Sequence, residues 1–212
     1  MRNNKGFTLM ELVAAIFIGG MVTAALVLIW KTASTQTSQG QRQTIIRNQV
    51  SNFQRQLYRD FYAADMITYP NATNNGGSVL LAGLKKAKRI NNTQFEVLRY
   101  APQGPTKYFV YCYDNAVGVI RRLESNVPYD PDNPIANISD FGSGLLNSCQ
   151  SDGIVVLSNF NLGSATLNVA SDDIYNGQYT LRGNVSRTFG DLANTSPVYI
   201  EINETLVSQG GI

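Results

Sequence analysis

A long apolar segment near the N-terminus constrains this chain most. Residues 1–6, MRNNKG, form a short basic leader, and the segment from Phe7 to Trp30 is apolar over roughly the length that crosses a membrane. Glu11 is the only charged residue of that segment and lies close to its start. A carboxylate is costly in lipid unless another group compensates it. We therefore expect a membrane-spanning helix in which Glu11 has a specific role.

Two ordinary explanations of this segment are less favoured. A cleaved secretory signal has an apolar stretch of about 7–15 residues and then a small-residue cleavage site. The stretch here is longer, contains Glu11 and is followed only by a poor candidate site, Thr-Ala-Ser at 32–34, just beyond Lys31. The second alternative is a plain signal anchor in which Glu11 is incidental.

Residues 5–12, KGFTLMEL, resemble the class III signal of type IV prepilins and pseudopilins. A glycine, an aromatic residue, a Thr-Leu pair and a glutamate stand in that family's order. The resemblance implies that a membrane aspartyl peptidase cleaves the Gly6–Phe7 bond and N-methylates Phe7. Glu11 would then pair with the Phe7 amine of a neighbouring subunit. Leaving one member of such a buried pair alone costs about 3–5 kcal/mol, so the pair would set the axial register of assembly.

Apolar residues recur at helical spacing after the apolar segment. Steps of three or four residues place them on one face: Ile46, Val50, Phe53, Leu57, Phe61 and Ala64. Residues 31–51 are polar enough to pass for a linker but contain no proline. We predict one helix from about Thr8 to about Met66, roughly 85–90 Å long, ending before Pro70.

Short strands and turns are predicted beyond Pro70. The strand patterns cover residues 94–100, 107–113, 117–123, 154–157, 166–169 and 198–203. The second and third form a hairpin around residues 114–116, and residues 126–144, with three prolines, are predicted to be irregular. The predicted fold class is α+β, a long helix packed on an antiparallel sheet. Its parts are a leader (1–6), a transmembrane assembly helix (7–30), an amphipathic continuation (31–69) and a β-rich head (70–212).

The two cysteines, Cys112 and Cys149, predict one disulfide, because an even count in an exported domain favours pairing. The bridge would tie the hairpin to the irregular segment 126–144 and stabilise the fold by about 2–4 kcal/mol. Two free buried thiols are the alternative.

Evidence for catalysis is thin. The chain has no histidine, which excludes Ser-His and Cys-His catalysis and histidine-ligated metals, and no glycine-rich phosphate motif occurs. Residues 130–133, Asp-Pro-Asp-Asn, and the pair Asp172-Asp173 could offer oxygen to Ca²⁺, but neither matches an EF-hand loop and turn chemistry explains them better. We predict no enzyme activity, metal or cofactor.

The charge balance argues against nucleic acid as a partner of the head. The chain has 17 basic and 15 acidic residues, and removing Arg2 and Lys5 leaves 15 of each. Four arginines lie close together on the predicted helix: Arg42, Arg47, Arg55 and Arg59. We interpret them as a solvated helix face.

The head also resembles part of the same family. Residues 55–60, RQLYRD, and 119–122, VIRR, resemble the J-type minor pseudopilins of type II secretion and the W-type minor pilins of type IV pili. The resemblance implies a structural filament subunit that acts in initiation and assembly. Its partners would be other pilin subunits and the prepilin peptidase, and its head would lie outside the cytoplasm on a single-pass anchor in the inner membrane. An adhesive or DNA-uptake pilin is the alternative; a membrane-anchored enzyme is a third.

Overall fold

The computed structural model describes residues 8–68, 73–74, 77–90, 94–99, 104–137, 142–169, 177–187 and 198–207. The chain divides into two compact units, residues 1–45 and 46–212. Helix α1 (Leu9–Tyr62) has 54 residues; it supplies the described part of the first unit and enters the second.

The second unit contains twelve strands in the described part of the chain, together with helix α2 (Gly142–Asp152). In chain order the strands are β1 (Met66–Thr68), β2 (Thr73–Asn74), β3 (Gly77–Lys85), β4 (Ala87–Arg89), β5 (Gln94–Val97), β6 (Lys107–Asp114), β7 (Val119–Asn126), β8 (Ile135–Asn137), β9 (Ile154–Ser158), β10 (Phe160–Val169), β11 (Gly177–Arg187) and β12 (Val198–Val207).

Every recorded strand pair is antiparallel. The largest sheet has the order β1-β3-β6-β7-β9, with β2 beside β3. A second sheet has the order β10-β11-β12, and a small third one has the order β4-β5-β8. The predicted α+β architecture is confirmed, but its strands form three sheets instead of one.

The predicted apolar stripe of α1 forms the centre of the core. Ile46, Val50, Phe53, Leu57 and Phe61 are all buried. They pack with residues of the two larger sheets, among them Tyr111, Phe160, Tyr179, Leu181 and Ile202. Burying this stripe removes a large apolar area from water, which is the main favourable term in folding. The heptad-like spacing therefore identified the packed face of the helix correctly.

The C-terminal end of the helix was predicted wrongly. Helix α1 ends at Tyr62, and Met66 belongs to strand β1, where it pairs with Leu84 of β3. The backbone amide of Asp65 donates to the carbonyl oxygen of Leu84 at 2.8 Å and so begins the ladder. Met66 and Ile67 point to opposite faces of the strand, and both are buried because each packs in a different apolar cluster, Met66 with Phe95 and Ile67 with Phe61.

The predicted hairpin is present as β6 and β7, but the sequence pattern missed other elements. Strand β3 is buried from Val79 to Leu84 on both faces, so its sequence does not alternate. Strand β11 was missed as well, and it contains a glycine, Gly183, whose hydrogen faces the ring of Phe160. Helix α2 begins at Gly142, inside the stretch predicted to be irregular.

Candidate functional site: the N-terminal helix and its supports

Thr8 and Glu11 form a reciprocal cap at the start of α1. The Thr8 backbone amide donates to Glu11 Oε2 at 2.9 Å, and the Thr8 hydroxyl donates to the same oxygen at 3.0 Å. The Glu11 amide in turn points at Thr8 Oγ1, 3.4 Å away. Since the helix begins at Leu9, Thr8 is the N-cap and Glu11 the third helical residue, which is the geometry of a capping box. The Glu11 carboxylate therefore satisfies the Thr8 amide at the start of the helix, within its own chain.

The Glu11 carboxylate keeps one oxygen available. Both recorded hydrogen bonds end on Oε2, and Oε1 accepts none from the described residues. A carboxylate has about four acceptor positions, so a cap on one oxygen leaves the other able to bind an additional donor. Gly6 and Phe7, the predicted cleavage and methylation residues, lie outside the described residues.

The segment that follows Glu11 presents apolar side chains that no described residue covers. Helix α1 is long and apolar enough to cross a membrane, and none of the apolar window is buried within the protein. Ile16, Phe17 and Leu28 are exposed over about two thirds of their surfaces, and Trp30 is 72% exposed. Soluble monomers rarely expose a continuous apolar surface of this extent. Lipid or other helices are therefore the environments this segment fits.

Small residues interrupt the apolar surface of the same segment. A Cβ atom added to Gly19 or Gly20 would meet nothing within 4 Å in the described structure. These glycines are therefore not required by packing inside the protein. In membranes, small residues let neighbouring helices approach closely, as would the nearby Ala14, Ala15, Ala24 and Ala25.

A buried ionic cluster joins α1 to the largest sheet in the second unit. Asp60 is fully buried. Its carboxylate accepts hydrogen bonds from Lys85 Nζ at 2.8 Å and from the Tyr111 hydroxyl at 2.7 Å. Two nitrogens of Arg122 also donate to the Asp60 carboxylate. Burial by itself raises the pKa of Asp60, but these hydrogen bonds outweigh burial and hold the pKa below its usual value. Asp60 is therefore ionised at neutral pH, and we call these four residues the Asp60 cluster.

The Asp60 cluster was not predicted, although the sequence analysis singled out the two segments that hold Asp60 and Arg122. The two residues are 62 positions apart and only the fold brings them together. Glu124 extends the cluster, because Arg122 also donates to it and Lys107 Nζ lies 3.6 Å from its Oε1. Desolvation by itself raises the pKa of Glu124, but the positive charges of Arg122, Lys85 and Lys107 outweigh it and lower the pKa overall.

A second polar contact joins α1 to strand β12. Glu204 accepts hydrogen bonds from Gln54 and from the hydroxyl of Tyr58. The Glu204 carboxylate, with partial burial, raises the pKa of Tyr58 to about 12. Tyr58 is therefore a neutral donor at physiological pH.

Cys112 and Cys149 are joined by a disulfide in the structure, with Cα atoms 6.2 Å apart. Both cysteines are fully buried. Cys149 lies in α2 and not in an irregular segment, so the bond attaches a helix to strand β6. Cys112 and Val110 face α2, whereas the alternate residue Tyr111 faces α1. The disulfide therefore holds α2 on the side of the sheet opposite to α1.

The candidate calcium ligands behave as turn residues where the structure describes them. The Asp132 amide donates to Asp130 Oδ1 at 3.0 Å, a local side-chain-to-backbone turn. Asp172 and Asp173 lie outside the described residues. Within the described ranges, no group of three or more Cys, Asp or Glu side chains is placed to hold a metal ion.

Comparison with known proteins places one family on the N-terminal segment. Residues 1–27 match the prokaryotic N-terminal methylation motif. This match supports the predicted class III signal of type IV prepilins and pseudopilins, and with it a pilin-like structural subunit anchored in a membrane. No curated protein matches the chain, and no solved structure does. The J-type and W-type resemblance of the head stays a prediction.

Proposed function

We propose that this chain is a minor structural subunit of a type IV pilus-like filament, acting in filament initiation and assembly. The observation that carries the proposal is the methylation motif at residues 1–27. Its described part includes the start of α1, where the apolar residues up to Trp30 are exposed and Glu11 is the single carboxylate. Such a helix has apolar area to bury against other subunits and one charged group to fix their register.

Processing creates the partner that Glu11 needs. Cleavage between Gly6 and Phe7 removes the basic leader and produces a positively charged, methylated amine on Phe7. In the capping box both hydrogen bonds to Glu11 end on Oε2. The other oxygen, Oε1, can accept a hydrogen bond from the Phe7 amine of an adjacent subunit. Because both groups lose water when helices pack, the pair is costly to break, by about 3–5 kcal/mol when one partner is missing.

The charges near the anchor and the disulfide support the proposed topology. Arg2 and Lys5 precede the apolar segment, and basic residues next to a membrane span favour the cytoplasmic side. The bond between Cys112 and Cys149 belongs to an oxidising compartment. The proposal therefore places a single-pass anchor in the inner membrane with the head, residues 70–212, outside the cytoplasm before assembly into the filament.

The proposed role is structural and not catalytic. The chain has no histidine, which excludes Ser-His and Cys-His catalysis. The proposed contacts of the anchor are other pilin-type helices and the prepilin peptidase, which act on it through residues 6–30.

Substitution of Glu11 by glutamine tests the function, because it separates charge from capping. Glutamine at this position of a capping box still accepts the Thr8 hydrogen bonds, whereas it cannot pair as an anion. We expect Glu11→Gln to reach the membrane at the parental level and to fall by at least about tenfold in sheared filaments, since a loss above 1.4 kcal/mol exceeds a factor of ten.

Thr8→Val is the matched control, because it removes the capping hydroxyl and keeps the Glu11 charge. We expect its incorporation to fall less than that of Glu11→Gln, by at most about fivefold, since a helix cap is worth only about 1 kcal/mol. Parental incorporation of Glu11→Gln would contradict the pairing role. Absence of the unaltered chain from every filament preparation would overturn the proposed function itself.

A further inference from the structure

The outward face of α1 in the second unit carries exposed arginines beside an exposed tyrosine. Arg47, Arg55, Arg59 and Tyr62 are exposed, with the Arg59 side chain 71% and Tyr62 61% accessible. At 3.6 residues per turn, Arg55 and Arg59 point away from the buried stripe that begins at Ile46. We call these four residues the arginine–tyrosine face.

The charge of this face is not compensated within its own helix. From residue 46 to residue 62 the only acidic residue is Asp60, which is buried and already paired with Lys85 and Arg122. Arg59 Nε lies 4.0 Å from Asp60 Oδ1, at the limit of an ion pair. Arg47 and Arg55 form no ion pair with any described residue.

A merely solvated helix surface normally mixes the two signs of charge. Glutamate and arginine four residues apart stabilise a helix by about 0.2–0.5 kcal/mol, and like charges at that spacing destabilise it by a similar amount. Arg55 and Arg59 are four residues apart, so their repulsion disfavours the isolated helix. Since no described residue compensates Arg47 or Arg55 by an ion pair, an external anion explains this row of arginines.

Tyr62 adds an exposed aromatic ring, held by two other rings, to this charged face. Its ring stacks with that of Tyr58 at 6.5 Å between centroids and meets the ring of Phe61 edge-on at 5.5 Å. Tyr58 is fixed in turn by its hydrogen bond to Glu204. A tyrosine held in place beside arginines has the composition of energetic centres in protein interfaces, where tyrosine and arginine are enriched.

We propose that the arginine–tyrosine face binds an acidic protein surface on a neighbouring filament subunit, an inference that rests on the proposed function. Guanidinium groups pair with carboxylates through two parallel hydrogen bonds. Arg55 and Arg59 lie about 6 Å apart along the helix, so the partner presents carboxylates at a similar spacing. A nucleic acid fits less well, because the whole chain is nearly neutral and nucleic-acid-binding domains are typically strongly basic.

The test places a photo-activated cross-linking amino acid at Tyr62 of the full-length chain, in cells that assemble the filament. The cross-linked product is identified by mass spectrometry. We expect another subunit, joined through a segment that contains Asp or Glu. The charge reversal Arg55→Glu should reduce this product by at least about tenfold, because like charges facing each other across an interface cost several kcal/mol.

Arg182→Glu is the matched control, since Arg182 is also exposed but lies on strand β11, away from this face; it should leave the product unchanged. Circular dichroism of each variant checks that the fold is kept. A product that persists in Arg55→Glu, or cross-linking to nucleic acid or lipid alone, would overturn the inference. Lack of any Tyr62 product in filaments that do contain this chain would also overturn it while leaving the proposed function intact.

Discussion

Arg122 forms a bidentate ion pair with the carboxylate of Asp60 inside the second unit. Its Nε lies 2.5 Å from Oδ2 and its Nη2 lies 3.1 Å from Oδ1. Because Asp60 belongs to α1 and Arg122 to β7, the pair fixes the helix in one position along the strands. A buried ion pair is weak evidence for net stability compared with apolar residues of equal size, but it is costly to break from one side. Its main consequence here is therefore a defined helix-to-sheet register.

Asp60→Asn should destabilise the fold by about 3 kcal/mol, because it removes the buried anion and leaves Arg122 and Lys85 with Glu124 as their remaining anionic partner. The measurement is urea unfolding of the full chain in detergent, followed by the near-ultraviolet circular dichroism of the tyrosines. Asp132→Asn is the matched control, since Asp132 is exposed on a turn and should change stability by less than about 0.5 kcal/mol. Equal effects of the two substitutions would show that the Asp60 cluster does not hold the helix.

Acid should weaken the same cluster. The pKa of Asp60 is lower in the folded chain than in the unfolded one, so its contribution is complete above the unfolded pKa of about 3.9 and is lost as pH falls through the folded pKa. Glu124, whose pKa is also lowered, acts in the same direction. We expect the urea concentration at the unfolding midpoint of the parent to decrease as the pH is lowered below about 4. In Asp60→Asn the midpoint should decrease less steeply with falling pH. Identical slopes would exclude Asp60 as a source of the acid sensitivity.

Reduction of the disulfide should loosen α2 before the rest of the head. The bond spans 37 positions between Cys112 and Cys149, and closing a loop of that size stabilises a fold by about 2–4 kcal/mol. Peptide mapping without reductant should recover one linked pair from the exported protein. Hydrogen exchange should then show faster amide exchange in 142–152 in Cys149→Ser than in the parent. Complete alkylation of both thiols without reductant would refute the bond.

The elements predicted correctly are those whose information is local. The three- and four-residue spacing of apolar residues predicts the stripe from Ile46 to Phe61. Two segments of alternating apolar and polar residues around a short turn predict the β6–β7 hairpin. The capping box of Thr8 and Glu11 was equally readable, since its Thr-x-x-Glu spacing is a recognised helix-start signal. The resemblance assigned Glu11 an intersubunit role, and the structure adds this intrachain one.

The elements missed depend on contacts between distant parts of the chain. Strand β3 is buried on both faces because Leu80 and Leu81 pack in the cluster that contains α1, whereas Val79 and Ala82 pack in the cluster that contains α2. Its sequence therefore gives no period-two pattern. The donors to Asp60 come from three strands that the fold assembles around the helix. The segment 142–152 contains two glycines and three serines, so its helix propensity is low. Packing of Leu145, Leu146 and Cys149 against the sheet stabilises it instead.

Replacement of Gly6 by leucine should block processing, because the resemblance places the peptidase cut directly after this small residue. We expect the intact mass of membrane-purified Gly6→Leu to include residues 1–6 and to lack the added methyl group on Phe7. Asn3→Leu is the matched control, since it adds the same side chain three residues before the junction and should be trimmed and methylated normally.

The uncleaved Gly6→Leu variant should keep the Cys112–Cys149 bond, because the apolar helix still delivers the head across the membrane. It should be missing from filaments, because Phe7 then has no free amine to offer Glu11 of a neighbour. A trimmed and methylated Gly6→Leu chain would show that the cleavage position has been assigned wrongly.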